Sequence, residues 1–356
     1  MFLRNRWYVA AWSHDVGAVP LARVMLNEPV VLYRTADGAV VALEDRCPHR
    51  NLPLSAGRRI DDTLECGYHG LVFDRTGRCT FVPGLADVPR WAAVRSYPVV
   101  ERNRWVFLWF GDPAAADPAL LPDHHGHLVD PSWRSVIGQS RPQCGYRLIL
   151  DNLLDLSHLS YVHSSTTGNR AVAERATIDT EVEGDRVRVT RWMQDIPAAP
   201  AFQDYGGYTG NIDRWQVSLF MPPSYIYIVN GSELAGRGLP APDRYDRHGR
   251  WGFKVYHMLT PETDVTTHQF WAVAAHADWV PPAKFDTFAQ QMRDVIVEDL
   301  VVYEAQQRAI DRDPAAVDRD ANPRGAIPAD KGLLEMRHVL RRLHAREQAA
   351  AEVAAQ

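Results

Sequence analysis

The sequence predicts an α+β protein in two parts: an all-β N-terminal domain over residues 1–115, then a domain over residues 116–356 built on an antiparallel sheet and a long helix. Three observations predict it. Residues 5–115 carry short apolar runs broken by Gly, Asp and Asn, the pattern of strands joined by tight turns. Residues 175–275 return to strand-like runs. After Pro281-Pro282, apolar residues recur at helical spacing.

In the first part the strand-like runs are 7–12, 29–33, 39–43, 71–73 and 105–110, with Asp37-Gly38 a turn signal. The segment Gly111-Asp-Pro-Ala-Ala-Ala-Asp-Pro118 reads as a linker. Residues 147–162 predict a short amphipathic helix. Strands are then expected at 186–193, 214–220, 225–229, 252–259 and 266–273. Phe285, Phe288, Met292, Val295, Asp299 and Val302 fall on one face of a long helix that Arg312-Asp313-Pro314 ends. A tail rich in Ala, Leu, Glu and Arg from Lys331 predicts a final exposed helix, and no internal repeat is visible.

With 356 residues, 46% hydrophobic and 23% charged, the chain can bury one large core or two moderate ones. A net charge of -5, with no basic run among aromatics, argues against a nucleic-acid partner. No apolar run approaches the roughly 18 residues of a membrane span. Arg4 and Arg6 stand where a signal peptide needs an apolar stretch, so the expected location is cytoplasmic. Four cysteines, Cys47, Cys66, Cys79 and Cys144, are too few for a disulfide scaffold in a chain of this length.

Two of those cysteines open the functional reading. Cys47-Pro-His49 is followed, after sixteen residues, by Cys66-Gly-Tyr-His69. Each half offers one thiolate and one imidazole, and Gly67 and Gly70 permit tight loops. A [2Fe–2S] centre with two Cys on one iron and two His on the other needs this set. A structural zinc site is the bland alternative, although zinc sites more often use Cys-x₂-Cys pairs.

A second constellation lies in Asn152-Leu-Leu-Asp155-Leu-Ser-His158-Leu-Ser-Tyr-Val-His163. In a straight helix His163 would be rotated about 140° from His158. Both reach one metal only if the helix ends or bends, which is expected near Ser160. Two imidazoles and a carboxylate make the facial set of non-haem Fe(II) oxygenases. Asp299 is the candidate carboxylate, because it falls in an apolar stripe where an unpaired charge is costly to bury. Its neighbour Glu298 points off that stripe and reads as solvated. Taken singly, each histidine is more often an ordinary core or surface residue than a ligand.

The motifs Cys47-Pro-His-Arg and Cys66-Gly-Tyr-His-Gly resemble those of Rieske aromatic-ring oxygenases, whose clusters lack the disulfide of respiratory Rieske proteins; the two places for it hold Leu52 and Tyr68. Asn152-Leu-Leu-Asp-Leu-Ser-His158 and Glu298-Asp299, with Trp7-Tyr-Val-Ala, Thr260-Pro-Glu-Thr and Thr267-His-Gln-Phe-Trp, resemble the vanillate and dicamba O-demethylase branch. The resemblance implies a Rieske [2Fe–2S] domain followed by a helix-grip (START-like) catalytic domain. It implies a cluster on Cys47, His49, Cys66 and His69 and a mononuclear Fe(II) on His158, His163 and Asp299, one of each per subunit. Asp155 would bridge His158 to a neighbouring subunit's His69 in a homotrimer, with Asn152 beside the open coordination position. The partners implied are O₂, a small aromatic acid held by Asn230 and His257, and a flavin/iron–sulfur reductase or ferredoxin that passes electrons from NAD(P)H. The expected reaction is O- or N-demethylation. Ring dihydroxylation is the alternative within oxygenases, and a Rieske electron carrier without oxygenase activity is the alternative of another class. A carrier has no use for residues past the linker. Asn230 and His257 could instead satisfy loop backbone.

Overall fold

The computed structural model describes residues 2–238, 249–313 and 326–354. The chain divides into two compact units, one of residues Met1–Leu121 with Thr260–Asp264, the other of Pro122–Leu259 with Val265–Gln356.

The first unit is all-β. Its strands are β1 (Arg6–Trp12), β2 (Leu21–Met25), β3 (Glu28–Arg34), β4 (Val40–Glu44), β5 (Arg58–Ile60), β6 (Thr63–Glu65), β7 (Val72–Phe73), β8 (Cys79–Phe81), β9 (Val99–Arg102) and β10 (Trp105–Phe110). They form three small sheets, ordered β1-β10-β9, β2-β3-β4 and β5-β6-β7-β8. Two apolar clusters fill the unit. One joins β1, β3 and β10 through Tyr8, Val30, Leu32, Val106 and Leu108. The other gathers Val31, Leu43, Leu54, Leu64, Leu71 and Phe73 around Cys47, Cys66 and Cys79. The alternation of Val31 and Tyr33 against Val30 and Leu32 shows why β3 belongs to both cores: successive side chains leave opposite faces of the strand. The segment expected as a linker forms two 3-10 turns, Pro113–Ala115 and Pro118–Leu120, each capped by the preceding Asp.

In the second unit, β11 (Trp133–Ser140) leads to α1 (Tyr146–Leu154), α2 (Arg170–Glu174), β12 (Thr177–Glu183), β13 (Arg186–Pro197) and α3 (Pro200–Gly206). The chain continues through β14 (Asn211–Met221), β15 (Tyr225–Leu234), β16 (Trp251–Thr263), β17 (Thr266–His276), α4 (Pro282–Arg312) and α5 (Lys331–Ala354). Seven strands make one sheet in the order β11-β17-β16-β15-β14-β13-β12, with every pair whose register is defined antiparallel. β15 and β17 are buried over nearly their whole length, so a two-residue alternation does not mark their faces.

Three expectations need correction. The helix expected over 147–162 ends at Leu154, where Asp155 turns extended (φ -113°, ψ 90°) and starts a 3-10 turn, Leu156–Ser160. The α-helical break therefore precedes His158, and the 3-10 turn that carries it ends at Ser160, where the exit was expected. The buried face of α4 carries Phe288, Met292, Ile296, Asp299, Tyr303 and Gln307. A stripe stepped at 3, 4, 3, 4, 3 under-runs the helical repeat of 3.6 and drifts off the face, leaving Val295 and Val302 only half-buried. The last helix is not exposed on all sides: Met336, Val339, Leu340 and Leu343 are buried, and Arg337 pairs with Asp151 of α1. Pro314, expected to end α4, lies outside the described residues.

Candidate functional site

Cys47 and Cys66 stand at the heads of two loops with the same backbone plan, one after β4 and one after β6. In each, the cysteine N–H donates to the carbonyl five residues on, Leu52 at 2.9 Å and Leu71 at 2.8 Å. The cysteine carbonyl accepts from the N–H four residues on, Asn51 at 2.9 Å and Gly70 at 3.0 Å. That fourth residue has positive φ in both loops, 58° at Asn51 and 70° at Gly70, a conformation that Asn and Gly adopt at low cost. The buried carboxylate of Asp45 fastens the first loop by accepting from Ser55 N–H (2.7 Å) and Ser55 Oγ (2.6 Å).

This plan buries both sulfurs and leaves both imidazoles at the surface. The rings of His49 and His69 lie 4.5 Å apart between centroids, flanked by exposed Tyr68 and Trp91. Burial pushes the Cys47 thiol pKa up, against the main-chain N–H groups of His49 and Arg50, and the adjacent Cys66 raises it further. Two thiols in a dry core beside two solvent-facing imidazoles fit a metal cluster that takes thiolate on one iron and nitrogen on the other. All four cysteines are free of disulfides.

The second set assembles from three places in the sequence. His158 comes from the 3-10 turn after α1, His163 from the loop that follows, and Asp299 from the buried face of α4. Their donor atoms all lie within 4.8 Å of one another. Asp299 Oδ1 is 3.1 Å from His163 Nε2 and 3.6 Å from His158 Nε2. The other nitrogen of each ring is held from behind. His158 Nδ1 meets the main-chain carbonyl of Asp155 at 2.6 Å, and His163 Nδ1 meets Glu298 Oε2 at 2.6 Å. A proton on each Nδ1 leaves both Nε2 lone pairs facing Asp299, the tautomer a metal needs.

The electrostatics agree. Burial lowers the pKa of His158. Burial pulls His163 the same way, but hydrogen bonds and charge from Asp299 and Glu298 outweigh it and the pKa rises. Asp299 is driven up by burial, yet the histidines around it bring it below its ordinary value, so it stays ionised. Asn152 sits behind it, with Nδ2 3.4 Å from Asp299 Oδ1 and Oδ1 accepting from Tyr303 at 3.4 Å.

Sequence reasoning missed Glu298, which is not simply solvated: it is the partner of a buried imidazole. Asp155 also differs from expectation within the chain, since its carbonyl and not its carboxylate meets His158. The carboxylate accepts from Ser157 N–H (3.0 Å) and lies 3.8 Å from the buried Arg191. Gly168 closes the loop that carries both histidines. A Cβ there would sit 1.7 Å from the Leu159 carbonyl oxygen, so only glycine allows that approach.

A cavity opens from this trio between the sheet and α4. Leu153, Leu159, Ile228, Val255, Val273, Met292 and Ile296 make it largely apolar, and Asn230 and His257 both line it. Among the described residues, neither side chain hydrogen-bonds loop backbone. Asn230 accepts from Gln216 (3.0 Å), and His257 Nδ1 faces Gln269 Nε2 (3.2 Å). Burial brings the His257 pKa down to about 4, so its ring is neutral near pH 7. Among the described residues, no Lys or Arg lines it.

Residues 6–98 match the Rieske [2Fe-2S] domain, and residues 142–346 match the vanillate O-demethylase oxygenase C-terminal domain. The chain is 38% identical to the toluene-4-sulfonate monooxygenase system iron-sulfur subunit of Comamonas testosteroni, over 96% of this chain and 97% of that one. It is 37% identical to a vanillate O-demethylase oxygenase subunit of a Pseudomonas species, over 99% and 98%. Among solved structures, dicamba monooxygenase bound to dicamba superposes with a TM-score of 0.86 at 31% identity, covering 98% of this chain and 99% of that one. The same enzyme with non-haem iron and dicamba superposes at 0.79 and 30%, with the same coverage. The chain therefore belongs to the Rieske non-haem iron oxygenases of the vanillate O-demethylase family. Its first unit contains a Rieske [2Fe–2S] domain, and the protein is an oxygenase component, which excludes the zinc and electron-carrier readings. No helix among the described residues is long and apolar enough to cross a membrane.

Proposed function

We propose that this oxygenase performs O₂-dependent monooxygenation that ends in O- or N-demethylation of a small aromatic acid. Residues 1–115 hold the cluster on Cys47, His49, Cys66 and His69, and residues 116–356 hold Fe(II) on His158, His163 and Asp299, one of each per subunit. The observation that carries this reading is the junction of donor set and cavity: two imidazoles and one ionised carboxylate converge at the wall of a largely apolar cavity.

Iron in such a two-histidine, one-carboxylate set supplies O₂ activation with coordination positions left open. The chain's own residues do the rest. Asp155 carbonyl and Glu298 fix the two ring tautomers. Asn152 and Tyr303 hold Asp299 in place from behind. The apolar walls exclude water and press the substrate's methyl group toward the donor trio. For a methyl ether the balance is R–OCH₃ + O₂ + NADH + H⁺ → R–OH + HCHO + H₂O + NAD⁺. A separate reductase or ferredoxin brings the electrons from NAD(P)H, and exposed His49 and His69 suit their entry to the cluster.

The working assembly is a homotrimer in which one subunit's cluster serves a neighbour's iron, with the Asp155 carboxylate between them. Support comes from that carboxylate, which spends one oxygen on Ser157 and, among the described residues, shows no hydrogen bond at the other. The cellular location is the cytoplasm, in keeping with four unpaired cysteines. The test is substrate-dependent O₂ consumption, with its reductase, across methoxylated and plain aromatic acids while formaldehyde is measured. Formaldehyde equimolar with O₂ consumed is the expected result. A cis-dihydrodiol without formaldehyde would replace demethylation by ring dihydroxylation.

A further inference from the structure

Behind the cavity, three side chains of the second unit link the carboxylate of Asp299 to the ring of His257. Asn152 Nδ2 lies 3.4 Å from Asp299 Oδ1, and Asn152 Oδ1 accepts from the Tyr303 hydroxyl at 3.4 Å. Gln269 Nε2 faces His257 Nδ1 at 3.2 Å. Gln269 Oε1 accepts at 3.1 Å from Ser140 Oγ, whose residue is its direct cross-strand partner on β11. The two halves meet at Tyr303. Burial, then the charge of Asp299 and a hydrogen bond to it, push the Tyr303 pKa well above its ordinary value, while a hydrogen bond from Gln269 pulls the other way. Tyr303 and Gln269 are fully buried and His257 and Asp299 nearly so, and buried polar groups of this kind have to satisfy one another.

Each link runs in one direction only, and Asp299 decides which. A carboxylate that serves as a metal ligand only accepts, so Asn152 turns its NH₂ to Asp299 and its oxygen to Tyr303. The phenol then directs its proton to that side and keeps a lone pair for Gln269. Gln269 answers with its NH₂, which leaves its oxygen for Ser140 and its second N–H for His257 Nδ1. A neutral imidazole that accepts at Nδ1 carries its proton at Nε2, and burial keeps the His257 ring neutral near pH 7. Turning the Gln269 amide over would set an oxygen against both Tyr303 and His257. The imidazole proton would move to Nδ1, and the phenol proton would leave Asn152 and Asp299.

We infer that Gln269 and Tyr303 are positioning residues that carry the charge of Asp299 to His257 as a direction of hydrogen bonding, so that the cavity is offered a donor, Nε2–H, and not an acceptor. Neither residue lines the cavity, so both act through His257. The inference rests on the reading of Asp299 as an iron ligand and of His257 as the holder of the substrate's acidic group, and deepens it. Without the two residues the proton would be shared between the ring nitrogens. A share of the molecules would then turn a lone pair toward a group that itself only accepts, with no lining cation to offset the mismatch.

The test needs no turnover. Nitrogen NMR of the isotopically labelled full-length protein, with the cluster oxidised and zinc in the mononuclear set, reads which nitrogen of His257 is protonated, and His257→Phe assigns the signal. The expected result is Nε2–H alone in the wild type and a mixture of tautomers in Tyr303→Phe, although that change is separated from the ring by Gln269. Calorimetry on the same protein compares benzoate, which accepts at His257, with toluene, which only fills the cavity. In Tyr303→Phe and in Gln269→Met, benzoate should lose about 3- to 10-fold relative to toluene. The double variant should lose no more than the larger single one, because both changes cut the same line. A proton on Nδ1 in the wild type overturns the inference, and that measurement needs no variant to fold. An unchanged tautomer in both variants also overturns it, as does an equal loss of benzoate and toluene, the result of a packing role alone. If the tautomer shifts as expected but wild-type benzoate binds no better than toluene, the positioning role stands and the aromatic-acid reading falls.

Discussion

The two metal-binding regions of this chain solve opposite problems. The loops proposed to hold the cluster offer four donors from residues 47–69, bury the sulfurs and expose the imidazoles. The set proposed for the mononuclear iron draws three donors from residues 158–299 and buries His163 and Asp299 almost completely, with His158 close behind. A group that exchanges electrons with a partner protein profits from ligands at the surface, while a group that activates O₂ beside an apolar ring profits from dryness. The backbone follows the same division. The cluster loops are held by short-range bonds, two backbone bonds per loop and the Asp45–Ser55 tie, whereas the iron set depends on a helix end, a turn and a second helix more than a hundred residues away.

If the two regions are independent, single substitutions should separate them completely. Asp299→Ala should lower mononuclear iron and reduce turnover by at least about three orders of magnitude, since nothing else in the trio supplies a carboxylate. The visible Rieske spectrum should stay at wild-type intensity. Cys66→Ser should do the reverse, erasing that spectrum while iron at the other set remains. Loss of both signals in either variant, read by iron content and absorption, would mean that the two regions fold or load as one.

The next effect in size falls on the group proposed to connect the regions. Asp155→Asn keeps an oxygen to accept from Ser157 N–H and leaves the main-chain carbonyl on His158 untouched, so both metals should load normally. Turnover should nevertheless fall by roughly 100-fold or more, because an amide cannot accept a proton from an imidazole or fix its tautomer as a carboxylate does. Chemical reduction of the cluster should stay normal, and its substrate-dependent reoxidation should slow. Full activity in this variant would reduce Asp155 to the cap of a 3-10 turn.

How much of this was legible depended on distance along the chain. The proposed cluster ligands form a local spacing pattern, and the structure adds the matched turns at Asn51 and Gly70. His158, His163 and Asp299 were readable because a carboxylate in an apolar helical stripe is chemically odd. Glu298 was not, since one position is about 100° of helix rotation, and only the loop brought against α4 turns an apparently solvated face into a contact with His163. Gln216 lies in Arg-Trp-Gln-Val-Ser-Leu-Phe, a strand whose polar residues could face anywhere until register sets Gln216 opposite Asn230. β11 escaped notice because Gly138 and four polar residues dilute its apolar signal.

Gly168 offers a finer probe of the same separation. A methyl group there would meet the Leu159 carbonyl oxygen at 1.7 Å, so the loop between His158 and His163 must shift. Displacement of a ligand by about 1 Å can cost on the order of 100-fold in rate. Gly168→Ala should therefore lower iron occupancy and turnover together by about that factor, with the Rieske spectrum unchanged. Unaltered iron affinity would show that the loop can relax without moving either imidazole.

The smallest expected effect concerns Glu298 and asks whether a carboxylate behind a ligand differs from the carbonyl behind its twin. His158 and His163 present the same nitrogen to Asp299, but one is backed by a neutral main-chain oxygen and the other by an anion. Glu298→Gln can keep an acceptor 2.6 Å from His163 Nδ1 while removing the charge, which makes His163 resemble His158. Loss of such a supporting group typically costs about 10- to 100-fold in metal affinity or activity, and retention of the hydrogen bond places Glu298→Gln near the lower figure. Glu298→Ala removes the acceptor as well and should approach the higher one. The measurements are Fe(II) dissociation constants and kcat for both variants beside Asp299→Asn. If Glu298→Gln binds iron as tightly as wild type while Glu298→Ala does not, the hydrogen bond alone matters and the two histidines are equivalent. If both variants match wild type, ring orientation is set by packing. If Glu298→Gln lost as much as Asp299→Asn, Glu298 would itself be a ligand and the carboxylate assignment would move by one residue.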